Sequence, residues 1–132
     1  ALVARWQQRQ YSRYKVGYFA FHGSPGVIWI GRKRVDLERL GELMAGKAHG
    51  KTLYFGSCKT VQVPNSRLDE FKRVTGARVV AGFTRNVDWL ESAAFDLLAL
   101  NAFTKFARID GARNSLERSY PDLVRLNRFV MR

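Results

Sequence analysis

Two short apolar runs that end at reactive residues constrain this chain more than any other feature. The run over residues 18–21 stops at His22-Gly23, and the run over residues 53–57 stops at Cys58. Short apolar runs rich in aromatics favour buried strands over helices. Parallel buried strands end together at the carboxyl edge of an α/β sheet, where ligands and catalytic groups collect. The sequence therefore predicts that neighbouring strands bring His22 and Cys58 together at one crevice.

The rest of the chain alternates between strand and helix patterns. We predict parallel, adjacent core strands over residues 15–21, 51–56 and 78–83, because the gaps between them are long enough for crossover connections. Helices are predicted over residues 2–13, from Asp36 to about residue 45, from an N-cap at Ser66 to Gly76, and from Asp88 to about residue 106. This alternation indicates an α/β fold, a mostly parallel sheet with helices on both faces.

Finer features follow from the same patterns. Residues 22–26 are interpreted as a tight loop, and residues 27–30 with 33–35 as a hairpin covering one edge of the sheet. Pro121 suits the first position of a helix, and residues 128–131 a last strand. The expected core stripe of the helix that begins at Asp36 is Leu37, Leu40, Leu43 and Met44; that of the long helix is Leu90, Ala94, Leu97 and Leu98.

Length and charge limit the classes of function. A chain of 132 residues fits a single domain, residues 1–132. The net charge of +12 raises the possibility of a nucleic-acid partner, but the basic residues are dispersed. No zinc-finger, helix-turn-helix or RNA-binding signature is present. A solvated basic surface is therefore preferred to a nucleic-acid site, which stays open as an alternative.

Cysteine and histidine usage narrows the chemistry further. A single cysteine forms no intramolecular disulfide, which fits a reducing compartment, and we expect a cytoplasmic protein. Two histidines and one cysteine cannot supply a conventional structural zinc site, so neither a metal nor another cofactor is expected. No apolar run approaches the length of a membrane span, so no membrane association is expected. The chain begins at Ala1 without Met, and we expect it to be a fragment of a larger domain or protein.

The two motifs together resemble those of the caspase-like (clan CD) cysteine peptidases. In that group, which includes caspases, gingipains, separase and bacterial CHAT domains, an apolar strand ends in His-Gly and a later one ends in two small residues and Cys. The block Gly56-Ser57-Cys58-Lys59-Thr60 is especially similar to the small-small-Cys-x-Thr block of CHAT domains. The stretch from Tyr18 to Phe103 also resembles an uncharacterised bacterial family that we would place with this group.

The resemblance implies a three-layer caspase-like sandwich and a cysteine endopeptidase acting on a protein or peptide substrate. Cys58 would be the nucleophile and His22 the acid–base, and the backbone N–H groups of Gly23 and Cys58 would hold the oxyanion. The first core strand of such domains is missing from this sequence, so a partner chain or another segment would complete the sheet edge. Bacterial relatives often act as effectors in immunity or regulated cell death, and the resemblance implies such a role.

Each assignment has a simpler alternative. Read alone, Cys58 fits an inert buried thiol, since cysteine is among the most buried residue types. The fold could therefore serve as a catalytically silent interaction module. His49 lies in a polar loop and fits a solvated helix exit. Asp88 and Glu91 follow the third core strand and could line a pocket that selects a basic residue before the cut. They fit equally well as acids matched to the dipole of a helix N-terminus.

Overall fold

The structure is a computed structural model that describes residues 14–56, 59–84, 89–106, 108–126 and 129–132. The side chains of residues 89–92, 123 and 126 lie outside that description. The predicted helix over residues 2–13 and the predicted helix start at Asp88 lie outside the described residues, as does Cys58. The strands are β1 (Val16–Phe19), β2 (His22–Ser24), β3 (Val27–Ile30), β4 (Lys33–Asp36), β5 (Thr52–Phe55), β6 (Val79–Phe83) and β7 (Phe129–Met131). The helices are α1 (Leu37–Leu43), α2 (Asn65–Thr75), α3 (Trp89–Lys105), α4 (Ile109–Ser119) and α5 (Pro121–Leu126).

The central sheet has the order β1-β5-β6-β7. The first three strands are parallel, with Phe19 opposite Phe55 and Phe55 opposite Gly82, and β7 runs antiparallel to β6. This confirms the predicted order and direction of the three core strands, and the predicted last strand. Among the described residues β1 pairs only with β5, and completion of its other edge by a partner chain or another segment stays a prediction.

Strand alternation directs the two faces of the sheet toward two cores. Leu53, Phe55 and Val80 pack with α1 and α2, whose buried residues include Leu40 and Phe71. Tyr54, Ala81 and Phe83 point the other way, into a second cluster with α3 and α4. Successive residues of a strand point to opposite faces, so continuous apolar runs are required when helices cover both. The chain is therefore an α/β protein with a mostly parallel central sheet.

Residues 22–26 do not form only a loop, as the sequence suggested. His22–Ser24 is a strand that pairs antiparallel with β3, and β3 pairs with β4 in a separate three-stranded sheet. The turn Pro25-Gly26 explains the difference, because Gly26 has φ +70°, which suits the third position of a type II turn. That turn brings Ser24 opposite Val27. The predicted hairpin is present, and its Ile28 and Val35 are buried in the same cluster as Phe19 of the terminal strand β1.

The helix starts and stops follow local signals with one exception. Asp36 caps α1 by accepting a hydrogen bond from Arg39 N at 2.8 Å, as predicted. Gly76 ends α2 with φ +80°, and Pro121 opens α5. The predicted N-cap at Ser66 is wrong: α2 begins at Asn65 after Pro64, with no side-chain cap. Proline cannot continue a preceding helix but tolerates the first turn, so it marks the boundary more strongly than the serine.

One residue of the predicted core stripe of α1 and the phase of the predicted stripe of α3 were wrong. Leu43 is exposed, whereas Leu37, Leu40 and Met44 are buried. In α3, Ala94 is exposed and Leu97 is 71% exposed, whereas Leu98 is half-buried against the core. Leu90 lies among the side chains that are not described. The buried stripe is instead Phe95, Ala99, Ala102 and Phe103. Eleven of the 17 residues of α3 are apolar, so more than one phase fits the pattern and packing decides among them.

Candidate functional site at the carboxyl edge of the sheet

His22 lies at the carboxyl edge of the central sheet, shortly after β1 ends. It is the first residue of β2, is exposed, and stands opposite Trp29. Two residues separate it from Phe19, so the imidazole is carried by a rigid strand that begins where β1 finishes. An exposed imidazole at this edge can exchange protons with a bound molecule.

Cys58 lies outside the described residues, but the chain on both sides of it is described. Before it, Gly56 N donates a hydrogen bond to Phe19 O at 3.0 Å, so the two strands remain together past their last paired residues. Phe19 and Phe55 stand opposite each other, and His22 and Cys58 each follow by three residues (22 − 19 and 58 − 55). The proximity of His22 to Cys58 stays a prediction. The in-register pairing of Phe19 with Phe55 supports it.

After Cys58, the chain is fastened to the turn that follows His22. Thr60 O accepts a hydrogen bond from Gly26 N at 3.0 Å, and Thr60 Oγ1 donates to Val27 O at 3.1 Å. Thr60 is fully buried, so both bonds are shielded from water. The segment that contains Cys58 is thus tied to β1 at one end and to the β2–β3 turn at the other. Sequence reasoning treated Thr60 only as part of a motif and missed this role.

The backbone N–H of Gly23 points away from β3. Ile30 and Lys33 flank a two-residue turn, so they form a hydrogen-bonded pair, and alternation makes Ile28 and Val35 the next such pair. Ile28 therefore directs its N–H and C=O toward β4. Gly23, which stands opposite Ile28, is left with its own N–H and C=O on the outer side of β2. The N–H of Gly23 therefore lies outside the hydrogen-bond ladder between β2 and β3 and next to His22. This position is compatible with its predicted role as an oxyanion donor.

A buried carboxylate lies close to this edge. Asp96 on α3 accepts a hydrogen bond from Tyr18 Oη on one oxygen and from Tyr54 Oη on the other. Burial raises the pKa of Asp96, while the two phenol hydrogen bonds oppose that shift. Burial, followed by the interaction with Asp96, raises the pKa of both Tyr18 and Tyr54. The sequence showed only two aromatic strand residues here, although the Tyr-Phe pair at the same position of both runs was a usable signal.

Tyr18 also contacts the start of the cysteine segment. A Cβ atom at Gly56 would lie 2.5 Å from Tyr18 Oη and 2.6 Å from the phenol ring, closer than real Cβ contacts allow. A side chain at position 56 would therefore require the Tyr18 ring to move. The first small residue of the Gly-Ser-Cys block is thus explained by packing against Tyr18.

The other predicted site residues lie elsewhere or outside the description. Asp88 is outside the described residues, and Glu91 is within α3 but its side chain is not described. His49 is exposed in the loop before β5, beside Gly76, at the amino end of that strand. It is therefore remote from His22, as the solvated-loop interpretation expected. Among the described residues no group of three His, Cys, Asp or Glu side chains could hold a metal ion.

One protein-family model matches nearly the whole chain. Residues 2–131 match the model described as a family of unknown function, DUF6642, and the chain belongs to that family. No curated protein matches it. In the described helices, no stretch combines the length and apolar character needed to cross a membrane.

Proposed function

We propose that this protein is a cysteine endopeptidase of the caspase-like type, with Cys58 as nucleophile and His22 as acid–base. The observation that carries the proposal is the in-register pairing of Phe19 with Phe55, three residues before each reactive residue. The ties at Gly56 and Thr60 support it, because they hold the segment around Cys58 next to the strand that carries His22. Helices on both faces of the sheet agree with the caspase-like layering that the proposal requires.

The proposed reaction is hydrolysis of a peptide bond. His22 takes the proton of Cys58 Sγ, and the thiolate attacks the carbonyl carbon to form a C–S bond, which moves an electron pair onto the carbonyl oxygen. The N–H groups of Gly23 and Cys58 stabilise that oxyanion. The C–N bond then breaks, and the imidazolium protonates the leaving amine. His22 then deprotonates a water molecule, which attacks the thioester carbon. The C–S bond breaks and the carboxylic acid is released. The proton held by His22 returns to the Cys58 thiolate.

The test is covalent labelling by peptidyl electrophiles that carry different side chains next to the reactive carbon. Cys58 is the only cysteine, so one added label per chain is read directly by mass spectrometry. We expect labelling of the wild type, none of Cys58→Ala, and a rate at least tenfold lower for His22→Ala, because general acid–base assistance contributes about 10²–10⁴-fold. His49→Ala is the matched control, since it removes an exposed histidine at the other end of the sheet.

The outcomes separate the alternative functions. Equal labelling rates for wild type and His22→Ala would contradict the dyad. A folded protein that no electrophile labels and no peptide panel reports as active would be a silent interaction module. Retention on DNA that weakens steeply with salt would favour the nucleic-acid alternative, because each phosphate contact releases counterions.

A further inference from the structure

Three side chains form a row across the small sheet that carries His22. His22 stands directly opposite Trp29 on β3, and Trp29 stands directly opposite Arg34 on β4. Residues directly opposite one another place their side chains on the same face of a sheet. The row therefore runs from an imidazole, across an indole, to a guanidinium.

The row lies on the outward face of this sheet, beyond Val27, which shares that face at the base of the hairpin and is only 3% exposed. The inward face is identified by Ile28 and Val35, which are 1% and 7% exposed in the α1–α2 core. Trp29 Nε1 contacts Ser24 Oγ at 3.4 Å, which places the indole on the face shared by Ser24 and His22. His22 and Arg34 are exposed and Trp29 is half-buried. These three side chains can therefore touch a bound molecule together.

The proposed role of His22 as the acid determines which part of a peptide substrate would lie on this outward face. The imidazole protonates the leaving amine, so the residues after the cut start next to it. Opposite residues are about 4.5–5.5 Å apart, which places the Arg34 backbone about 10 Å from that of His22. An extended peptide advances about 3.3 Å per residue. A substrate that crosses the row brings about its third residue after the cut to Arg34.

The charge of this face selects an acidic side chain at that position. An arginine guanidinium binds a carboxylate through two parallel hydrogen bonds, which a neutral side chain cannot reproduce. The ion pairs seen among the described residues use other arginines, such as Arg39 and Arg67, rather than Arg34. Asp36 shares the face but caps α1 through Arg39 N. Arg32 and Lys33 extend the positive field at the hairpin tip, and Trp29 offers a flat apolar surface between the two ends of the row.

We propose that the outward face of the β2–β3–β4 sheet binds the leaving-group segment of the peptide substrate, and that Arg34 selects an acidic residue about three positions after the cut. This subsite rests on the proposed cysteine endopeptidase function. It assigns a specificity role to a hairpin that does not belong to the central sheet.

The experiment uses internally quenched peptides with one fixed sequence before the cut, taken from the electrophile that labels Cys58 fastest. Glu, Gln or Lys is placed at each of the first four positions after the cut. We expect wild-type kcat/KM to be about tenfold higher for Glu than for Lys near the third position, since a hydrogen bond between charged groups is stronger than one between neutral groups. Arg34→Glu should reverse that preference.

Lys33→Glu is the matched control for Arg34→Glu. It makes the same change of charge one residue away in β4, but Lys33 stands opposite Ile30, so its side chain belongs to the opposite face. The control should keep the preference for Glu. A reversal of equal size in Lys33→Glu would mean that only the general field matters and would overturn the subsite.

A binding measurement separates this subsite from the proposed chemistry. Peptides equivalent to the leaving segment, with Glu or Lys at the third position, are titrated into the Cys58→Ala protein. Tighter binding of the Glu peptide that is lost in Cys58→Ala with Arg34→Glu supports the subsite without any turnover. Cleavage through Cys58 with no charge preference after the cut overturns the subsite alone. Absence of cleavage and of Cys58 labelling overturns the proposed endopeptidase function, and equal binding of the Glu and Lys peptides to Cys58→Ala overturns the subsite.

Discussion

Tyr18 and Asp96 are 78 residues apart in sequence and joined by a hydrogen bond between the first strand of the sheet and helix α3. Tyr54 donates to the other carboxylate oxygen, and its ring stacks on that of Tyr18 with centroids 5.4 Å apart. A buried carboxylate is costly unless its oxygens accept hydrogen bonds. Here both do, so the network connects β1, β5 and α3 just below the edge that carries His22.

The two phenols should make the fold sensitive to alkaline pH. In the folded chain the pKa values of Tyr18 and Tyr54 are raised above their ordinary value of about 10, mainly by burial. The unfolded chain ionises first, so the stability that these phenols contribute is complete below pH 10 and is lost as the pH rises above it. We expect the free energy of unfolding, measured by urea titration, to fall between pH 9 and pH 11.

Removal of the phenol hydroxyls should flatten this decline. Tyr18→Phe with Tyr54→Phe is expected to be less stable than the wild type at pH 8 but to lose less stability between pH 9 and pH 11. Tyr120→Phe, which changes an exposed tyrosine after α4, is the control and should follow the wild-type slope. Parallel slopes for all three proteins would show that the network does not titrate with folding.

The central sheet could be predicted because its strands depend on local pattern. The runs around Tyr18, Tyr54 and Val80 are apolar on both faces, so strands buried beneath helices were the only consistent interpretation. The network of Asp96 could not be predicted, because an acid in a largely apolar helix carries no sign of its partners. The phase of α3 failed for a related reason: Leu97 is more apolar than Ala99 but is exposed, so tertiary packing rather than hydrophobicity decides that Ala99 is buried.

In the candidate site, too, local pattern predicted some features and contacts between distant segments determined the others. The positions of His22 and Cys58 after two strands were readable from sequence, and the register of Phe19 with Phe55 agrees with the expected edge. The β2 strand was missed because His, Gly and Ser have low strand preference, and the turn at Gly26 overrides it. The two hydrogen bonds of Thr60 connect distant segments, so no local pattern indicates them.

Gly56 should tolerate a methyl group only when Tyr18 is removed. Gly56→Ala forces the Tyr18 phenol out of its place over the backbone, and we expect a loss of about 1–3 kcal/mol in the free energy of unfolding. Tyr18→Ala opens that space. The double variant should therefore be more stable than the sum of the two single losses indicates, with a coupling of about 1 kcal/mol or more.

The measurement is a double-mutant cycle by urea denaturation. Gly46→Ala is an unsuitable control because Gly46 has φ +68°, where any side chain is strained. Gly41→Ala is better matched: its Cβ would meet the Phe71 ring at 3.4 Å, far from Tyr18. Gly41→Ala and Tyr18→Ala should be additive. A Gly56 cycle that is also additive would contradict the proposed contact.

Thr60 should matter through its hydroxyl rather than its shape. Thr60→Val keeps the volume but leaves Val27 O without its buried donor, and we expect a loss of about 1–2 kcal/mol in the free energy of unfolding. Because this bond ties the segment after Cys58 to the β2–β3 turn, labelling of Cys58 by a peptidyl electrophile should also slow severalfold. Thr60→Ser retains the donor and should keep the wild-type labelling rate. If Thr60→Val labels as fast as Thr60→Ser, the tie does not position the cysteine segment.

The residue before the cut should be basic if Asp88 and Glu91 form a pocket beside Cys58. Both follow β6, the neighbour of the strand that leads to Cys58, and carboxylates select arginine through paired hydrogen bonds. The net charge of +12 acts in the opposite direction by attracting acidic substrates. Contacts within a pocket set specificity, whereas a distant field mainly sets the encounter rate, so we expect the pocket to dominate.

A fluorogenic panel that varies only the residue before the cut tests this expectation. Wild type should favour Arg or Lys, and Asp88→Asn with Glu91→Gln should lose that preference while Cys58 is still labelled by an electrophile with an apolar side chain. Asp122→Asn is a suitable control, because it removes an exposed acid on α5 whose partner is Arg125. A wild-type preference for acidic or apolar residues would refute the pocket. A basic preference that survives both substitutions would instead assign Asp88 and Glu91 to the dipole of the helix N-terminus.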